Sequence, residues 1–301
     1  MNKTLLSYIL TVGICAAAGA GTGIILKRTV GPIDEMYPPG FSADDYVADI
    51  DEIMTRYNAL SDKTINGVKN FSNSDIINIV LEKYRTTEYS WSLGIGTAYT
   101  IITQTIRNAQ IKNGDKYFEE QLSYSNIVNV ANRSYQTGVG GDVTLYKGSA
   151  LSAEHSSYSD SHRTFSPSEY KDYLGKTLDE MFIYIISEKT VVDSSKTISG
   201  DDVIINLELN PNLSTFFYKV QMMNISGLSN LPPFTEVKLT YTFSKDLVLK
   251  HLSADETYTA TKEGVPVPAE THDIIEYYYH SGEEKPIPEY NESIDYWIPE
   301  D

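Results

Sequence analysis

The chain has 301 residues, a formal net charge of −17, 23 tyrosines and a single cysteine. An excess of acids without a basic patch repels phosphate backbones, which excludes nucleic acid as a partner. With Cys15 alone there is no internal disulfide, and the region after it has no thiol nucleophile.

Residues 4–26, TLLSYILTVGICAAAGAGTGIIL, carry no charge and lie between Lys3 and Lys27-Arg28. As a helix rising about 1.5 Å per residue, the run spans the roughly 30 Å of a bilayer core. A cleaved signal peptide would end at the small residues 16–20, but Ile24-Ile25-Leu26 resume the apolar run. A lipoprotein would need a small residue before Cys15, where Ile14 stands. The expectation is therefore an uncleaved transmembrane helix within residues 1–28, ahead of a cleaved signal and a lipoprotein in that order. The flanking basic residues nearly balance. The acidic, cysteine-free remainder favours an extracytoplasmic C-terminal domain on a single-pass plasma-membrane anchor. Gly13, Ala17 and Gly21 allow close helix pairing, though a Gly/Ala-rich segment without a partner explains them as well.

Residues 29–42 hold three prolines and two glycines and read as a linker, so the domain is 43–299. Ser42 caps a predicted amphipathic helix reaching Ser61, and a second, more buried helix runs from about Ser74 to Arg85. Residues 88–112 and 115–137 read as two long strands joined at Asn113-Gly114, a strong hairpin signal. Residues 142–147 read as a strand and 148–164, rich in Ser, His and Asp, as a mobile loop. Ser166-Pro167 opens a short helix ending at Leu174-Gly175. Residues 181–187 form a buried helix or strand, between which periodicity does not choose. Strands follow at 190–195 and 202–209, then a helix after Pro211. A hairpin pairs 235–244 with 247–259, and a last strand covers 271–280. From Glu263 to Asp301 eleven acids face one base, Lys285, which reads as a solvated surface.

This order describes an α+β fold: one broad antiparallel sheet with helices packed on one face. Lys112-Asn113-Gly114-Asp115-Lys116-Tyr117, the hairpin from Val237 to Tyr258, and Tyr290-Asn291-Glu292-Ser293-Ile294 before Pro299 resemble the LolA-like lipoprotein-carrier family, including its LppX and LprG relatives. The resemblance covers roughly residues 70–299. It implies a curved half-barrel that takes acyl chains on its concave face. It transfers no lipid-contact residue to this chain, and it departs from the family in lacking a lipobox.

No nucleophile elbow, phosphate loop, zinc-protease motif or dinucleotide fingerprint is present. His155 and His162 near Asp160 have no metal-ligand spacing. Glu119 and Glu120, adjacent on a strand, point to opposite faces. No metal, cofactor or catalysis is expected. Aromatic clusters are the binding candidates, weighed against an ordinary core: Phe216, Phe217 and Met223 on the late helix, Tyr241 and Phe243 on the hairpin, and Tyr278 on the last strand. They imply a membrane-tethered, non-catalytic protein holding a lipid or other apolar ligand between sheet and helices. The alternative is a structural or interaction protein of the envelope with a self-filled core.

Overall fold

The computed structural model describes residues 37–292, apart from 38, 101, 127, 128, 227, 229, 263 and 280–283. The expected anchor lies outside the described residues. Among those described, no helix is long and apolar enough to cross a membrane.

A 3-10 turn at Ala43–Tyr46 precedes helix α1, Ile50–Asn58. The sequence suggested one helix over both. Asp49 starts α1 instead, its carboxylate accepting from the Glu52 amide at 2.9 Å. Helix α2, Asn73–Thr86, starts under a Ser72 cap and buries Ile76, Ile77, Ile79 and Val80 completely. Helix α3, Pro167–Leu174, carries a reciprocal Ser166/Glu169 capping box and ends on Gly175 at φ 78°. Helix α4 is Phe216–Ser226.

Among the described residues, eleven strands form one open antiparallel sheet: β1 Tyr89–Tyr99, β2 Thr103–Asn113, β3 Lys116–Tyr124, β4 Asn129–Thr137, β5 Val143–Ala150, β6 Ser156–Phe165, β7 Val191–Ser199, β8 Asp202–Leu209, β9 Phe234–Ser244, β10 Leu249–Lys262 and β11 Val265–Tyr279. Their order is β6-β5-β4-β3-β2-β1-β11-β10-β9-β8-β7. Two meanders thus run outward from a central seam where the first strand pairs with the last, Ser90 opposite Tyr279 through Tyr99 opposite Glu270.

Cross-strand register gives each face a composition. On the inner face, β8 to β10 present Val203, Ile205, Leu239, Tyr241, Phe243 and Leu252, which join the α2 isoleucines in the main core. A second cluster joins Tyr117, Val143, Leu145 and Phe165 to Tyr170 and Leu174 of α3. Between them, β1 to β4 put polar side chains on the same face. The outer face carries Glu120 and Arg133, an ion pair at 3.1 Å with both side chains fully buried. Residues 284–292 help cover it. Arg133 Nη1 donates to the carbonyls of Glu289 and Tyr290, and the Tyr290 ring stacks on Tyr146 at 4.8 Å. This part of the acidic tail is therefore docked, and Tyr290 to Glu292 form a turn.

Four expectations need correction. The run 88–112 reverses between Tyr99 and Thr103, where the sequence carries no turn signal, and 115–137 turns back around Ser125-Asn126, so each long strand is two. The presumed mobile loop contains β6. As an edge strand it has one neighbour and mostly exposed residues, so it needs no apolar alternation. Residues 181–187 are neither helix nor strand. Their polar backbone groups are satisfied individually: Asn78 Nδ2 donates to the Ile186 carbonyl at 2.9 Å, Thr190 Oγ1 to that of Ile185 at 2.8 Å, and the Ile185 amide to the Ser214 carbonyl at 2.9 Å.

Candidate functional site

That irregular chain, residues 176–190, covers the middle of the inner face and leaves a cavity of about 200 Å³ beneath it. The floor follows from three rows of cross-strand partners. One row, from β11 to β4, reads Ile275, Gly94, Asn108, Gln121 and Asn132. The row on one side begins Tyr277, Ser92 and Gln110, and the row on the other Asp273, Gly96, Ile106 and Ser123. Gly94 and Gly96 are the reason there is space: glycine inside a strand has no side chain to fill the face. A Cβ on Gly96 would collide with Asp273 Oδ1, and one on Gly94 would stand 3.3 Å from Ile275 Cγ1.

The lining is two-sided. Leu252, Ile275, Tyr277 and Tyr241 make an apolar and aromatic wall, and Asn108, Gln110, Gln121 and Asn132 make an amide wall. Phe182, Ile183, Tyr184 and Ile186 form the roof, and Tyr218 and Gln221 of α4 close one side. The roof is thin, because the same four roof residues also line a second cavity of about 200 Å³ on their far side, beside Phe217. Lys176 fastens the start of the roof to β3, with Nζ at 2.7 Å from Glu119 Oε2 and both side chains nearly inaccessible. Met181 turns the chain over the cavity with φ 60°, a strained value for a side chain that is not glycine.

Two acids stand on the apolar side. Glu256 pairs across strands with Thr271, whose hydroxyl donates to Oε2 at 2.9 Å, while the Tyr184 hydroxyl donates to Oε1. Burial, reinforced by the charge of Asp273, raises the Glu256 carboxyl to about 7. Burial also raises Asp273 to about 6, with His272 opposing the shift and Asp255 adding to it. Tyr184 and Tyr218 are pushed well above the ordinary phenol range, first by burial and then by the Glu256 charge.

The aromatic candidates scatter. Tyr241 lines the cavity. Phe243 is fully buried in the main core, away from it. Phe216 packs on Tyr37, Phe41 and Phe217 at the start of α4. Phe217 lines the second cavity, and Met223 is half-buried and lines neither. Tyr278 lies on the outer face, stacked on Trp91 at 3.9 Å, so it cannot meet a ligand held under the roof. Tyr277, its neighbour, is the one facing inward.

Sequence reasoning passed over Asp273, Glu256, Gly94, Gly96 and the amide row. A signal existed. Glu256 shares the alternation of Leu252, Ala254 and Tyr258, and Asp273 that of Ile275 and Tyr277, so each acid falls at an inward position of an apolar series. Glu119 and Glu120 do point to opposite faces, one to Lys176 and one to Arg133.

Among the described residues no group of three or more His, Cys, Asp or Glu side chains is placed to hold a metal ion. In comparison with known proteins, the chain matches no family model and no curated protein.

Proposed function

We propose that this protein is a membrane-tethered, extracytoplasmic binding protein that holds an apolar or amphipathic ligand between its sheet and the 176–190 segment. The sheet acts as a half-barrel with its helices on the concave side, in keeping with the resemblance to lipoprotein carriers. One observation carries the reading: two glycines in the central strand keep a cavity open where a self-filled core would place side chains. The mainly apolar lining supplies affinity, and the amide wall orients a polar end.

Native mass spectrometry of the purified full chain with added octanol is the test. A one-to-one adduct is expected, and Gly94→Leu, which fills the floor, should abolish it while the circular dichroism spectrum stays unchanged. Absence of any adduct at saturating octanol removes the reading. For the tether, protease added to intact cells should remove the domain. Full protection would reverse the topology.

One observation favours the second reading, a structural protein of the envelope. Over β8 to β10 the inner face is already filled by Ile76, Ile77, Ile79 and Val80 of α2.

A further inference from the structure

We infer that the ligand of this cavity carries a cationic amine, bound between the Asp273 carboxylate and the Asn108 side-chain carbonyl across the two glycines of β1. The inference rests on the cavity being a ligand site and concerns the chemistry of its occupant.

Three charged residues contribute to the lining. Lys176 is neutralised by Glu119 at 2.7 Å, and Arg107 faces Glu154 at 3.6 Å. No salt bridge or hydrogen bond among the described residues reaches the Asp273 carboxyl. Asn108 Oδ1 is likewise buried without a hydrogen-bond partner. Asp273 is opposite Gly96 and Asn108 opposite Gly94, so neighbouring rows of the floor each offer an unused acceptor. A carboxylate in a water-poor pocket is costly unless a counter-charge meets it. The nearby acid, Glu256, worsens the balance, since among the described residues it has hydroxyl donors but no lysine or arginine partner. The tyrosine faces around the same end suit a cation too. Tyr184 and Tyr218 meet edge to face at 5.9 Å, and Tyr241 and Tyr277 complete the wall. A group with several N–H donors and a positive charge meets all of these demands, with its hydrocarbon part along Ile275, Leu252 and Ile186. An anionic head, such as that of a fatty acid, would be repelled at this end.

The test uses three probes of equal chain length, octylamine, octanol and octanoate, titrated against the full chain at pH 7.5. Octylamine should bind at least about ten-fold tighter than octanol, the scale of one charge-assisted contact, with octanoate weakest. Asp273→Asn should lower octylamine affinity until it lies within about two-fold of that of octanol. A second arm needs no variant. Around pH 5 the octylamine advantage in the wild type should disappear, because Asp273 takes up a proton as pH falls through about 6. The titratable groups facing Asp273 are Glu256 on β10, which also takes up a proton over this range, and Tyr184 on the roof and Tyr218 on α4, which stay protonated throughout; the charges of His272 and Asp255 act through the sheet. If octanol binds and octylamine binds no tighter, or octanoate binds tightest, the amine inference is overturned and the cavity reading survives. If none of the three binds, both fall.

Discussion

Glu256 shows how one side chain takes its character from its place in the sheet. Its carboxyl sits in an apolar row, and burial raises it from 4.5 to about 7. In the unfolded chain it ionises near 4.5, so between that pH and about 7 the folded state holds a proton that the unfolded state has released. The stabilisation from this group is complete below pH 4.5 and is lost as pH rises through about 7. At about 1.4 kcal/mol per pH unit, the loss is about 3 kcal/mol by pH 8. Glu256→Gln keeps an acceptor for Tyr184 and has no proton to lose. Its urea midpoint should exceed that of the wild type at pH 8 and match or fall below it at pH 4.5. Parallel pH profiles for the two proteins would show that the group titrates normally. Gly96→Ala acts at the same scale: the new Cβ meets Asp273 Oδ1. It should weaken octanol binding and weaken octylamine binding further, because the methyl that narrows the floor also displaces the carboxylate that holds the amine.

Among the elements, the 176–190 segment is the one on which binding depends. It has no ladder, and its anchors are separate side-chain bonds and the Lys176–Glu119 pair. Removing one member of a buried pair leaves the other without its counter-charge, at a cost of about 3–5 kcal/mol; for Glu119 the amides of Gln110 and Gln121, which also donate to it, hold the cost to the lower end. Lys176→Met should therefore lower stability by that amount and raise amide exchange first in 176–190, as read by hydrogen-exchange mass spectrometry. Unchanged exchange in the segment would show that the pair does not hold the roof. Helix α3 has a smaller, local dependence. Ser166→Ala removes one half of its capping box and should cost about 1 kcal/mol in thermal unfolding. Gly175, at φ 78° and packed on the Phe217 carbonyl, should tolerate alanine less well than the cap does, since a Cβ there is strained twice over.

At the scale of the molecule, the seam between β1 and β11 joins the first and last strands of the sheet. Ten successive residue pairs cross it, and Trp91 stacks on Tyr278 over it. Unfolding of either meander would leave the other's seam strand with a single partner, β1 on β2 or β11 on β10. Chemical unfolding followed by Trp91 fluorescence in a Trp297→Phe chain and by far-UV circular dichroism should give coincident transitions. Separate midpoints would mean that the meanders are independent folding units. Both outer edges, β6 and β7, are polar, with Asp160, His162 and Arg163 on one and Asp193 and Lys196 on the other, which discourages strand addition from a second copy.

Local chemistry was legible where it acts over a few residues. The Ser166-Pro167 start and Gly175 stop of α3, the Asn113-Gly114 hairpin and the alternation of β8 and β9 follow from capping, turn geometry and a period of two. Together they fixed the class, α+β with a wide antiparallel sheet. The reversal between β1 and β2, the polar strand β6 and the unladdered roof were not legible. β-Branched residues there are overridden by pairing with distant strands, an edge needs no pattern, and an irregular chain is stabilised by partners such as Asn78 and Ser214 far away in sequence. The same distance hid the site. Gly94, Asn108, Gln121 and Asp273 come from four strands, and only the register across the seam sets two glycines between an unpaired acid and an unpaired amide. Which aromatic faces inward was likewise a tertiary decision: a shift of one residue exchanges Tyr277 for Tyr278, and pairing with β1 settles it.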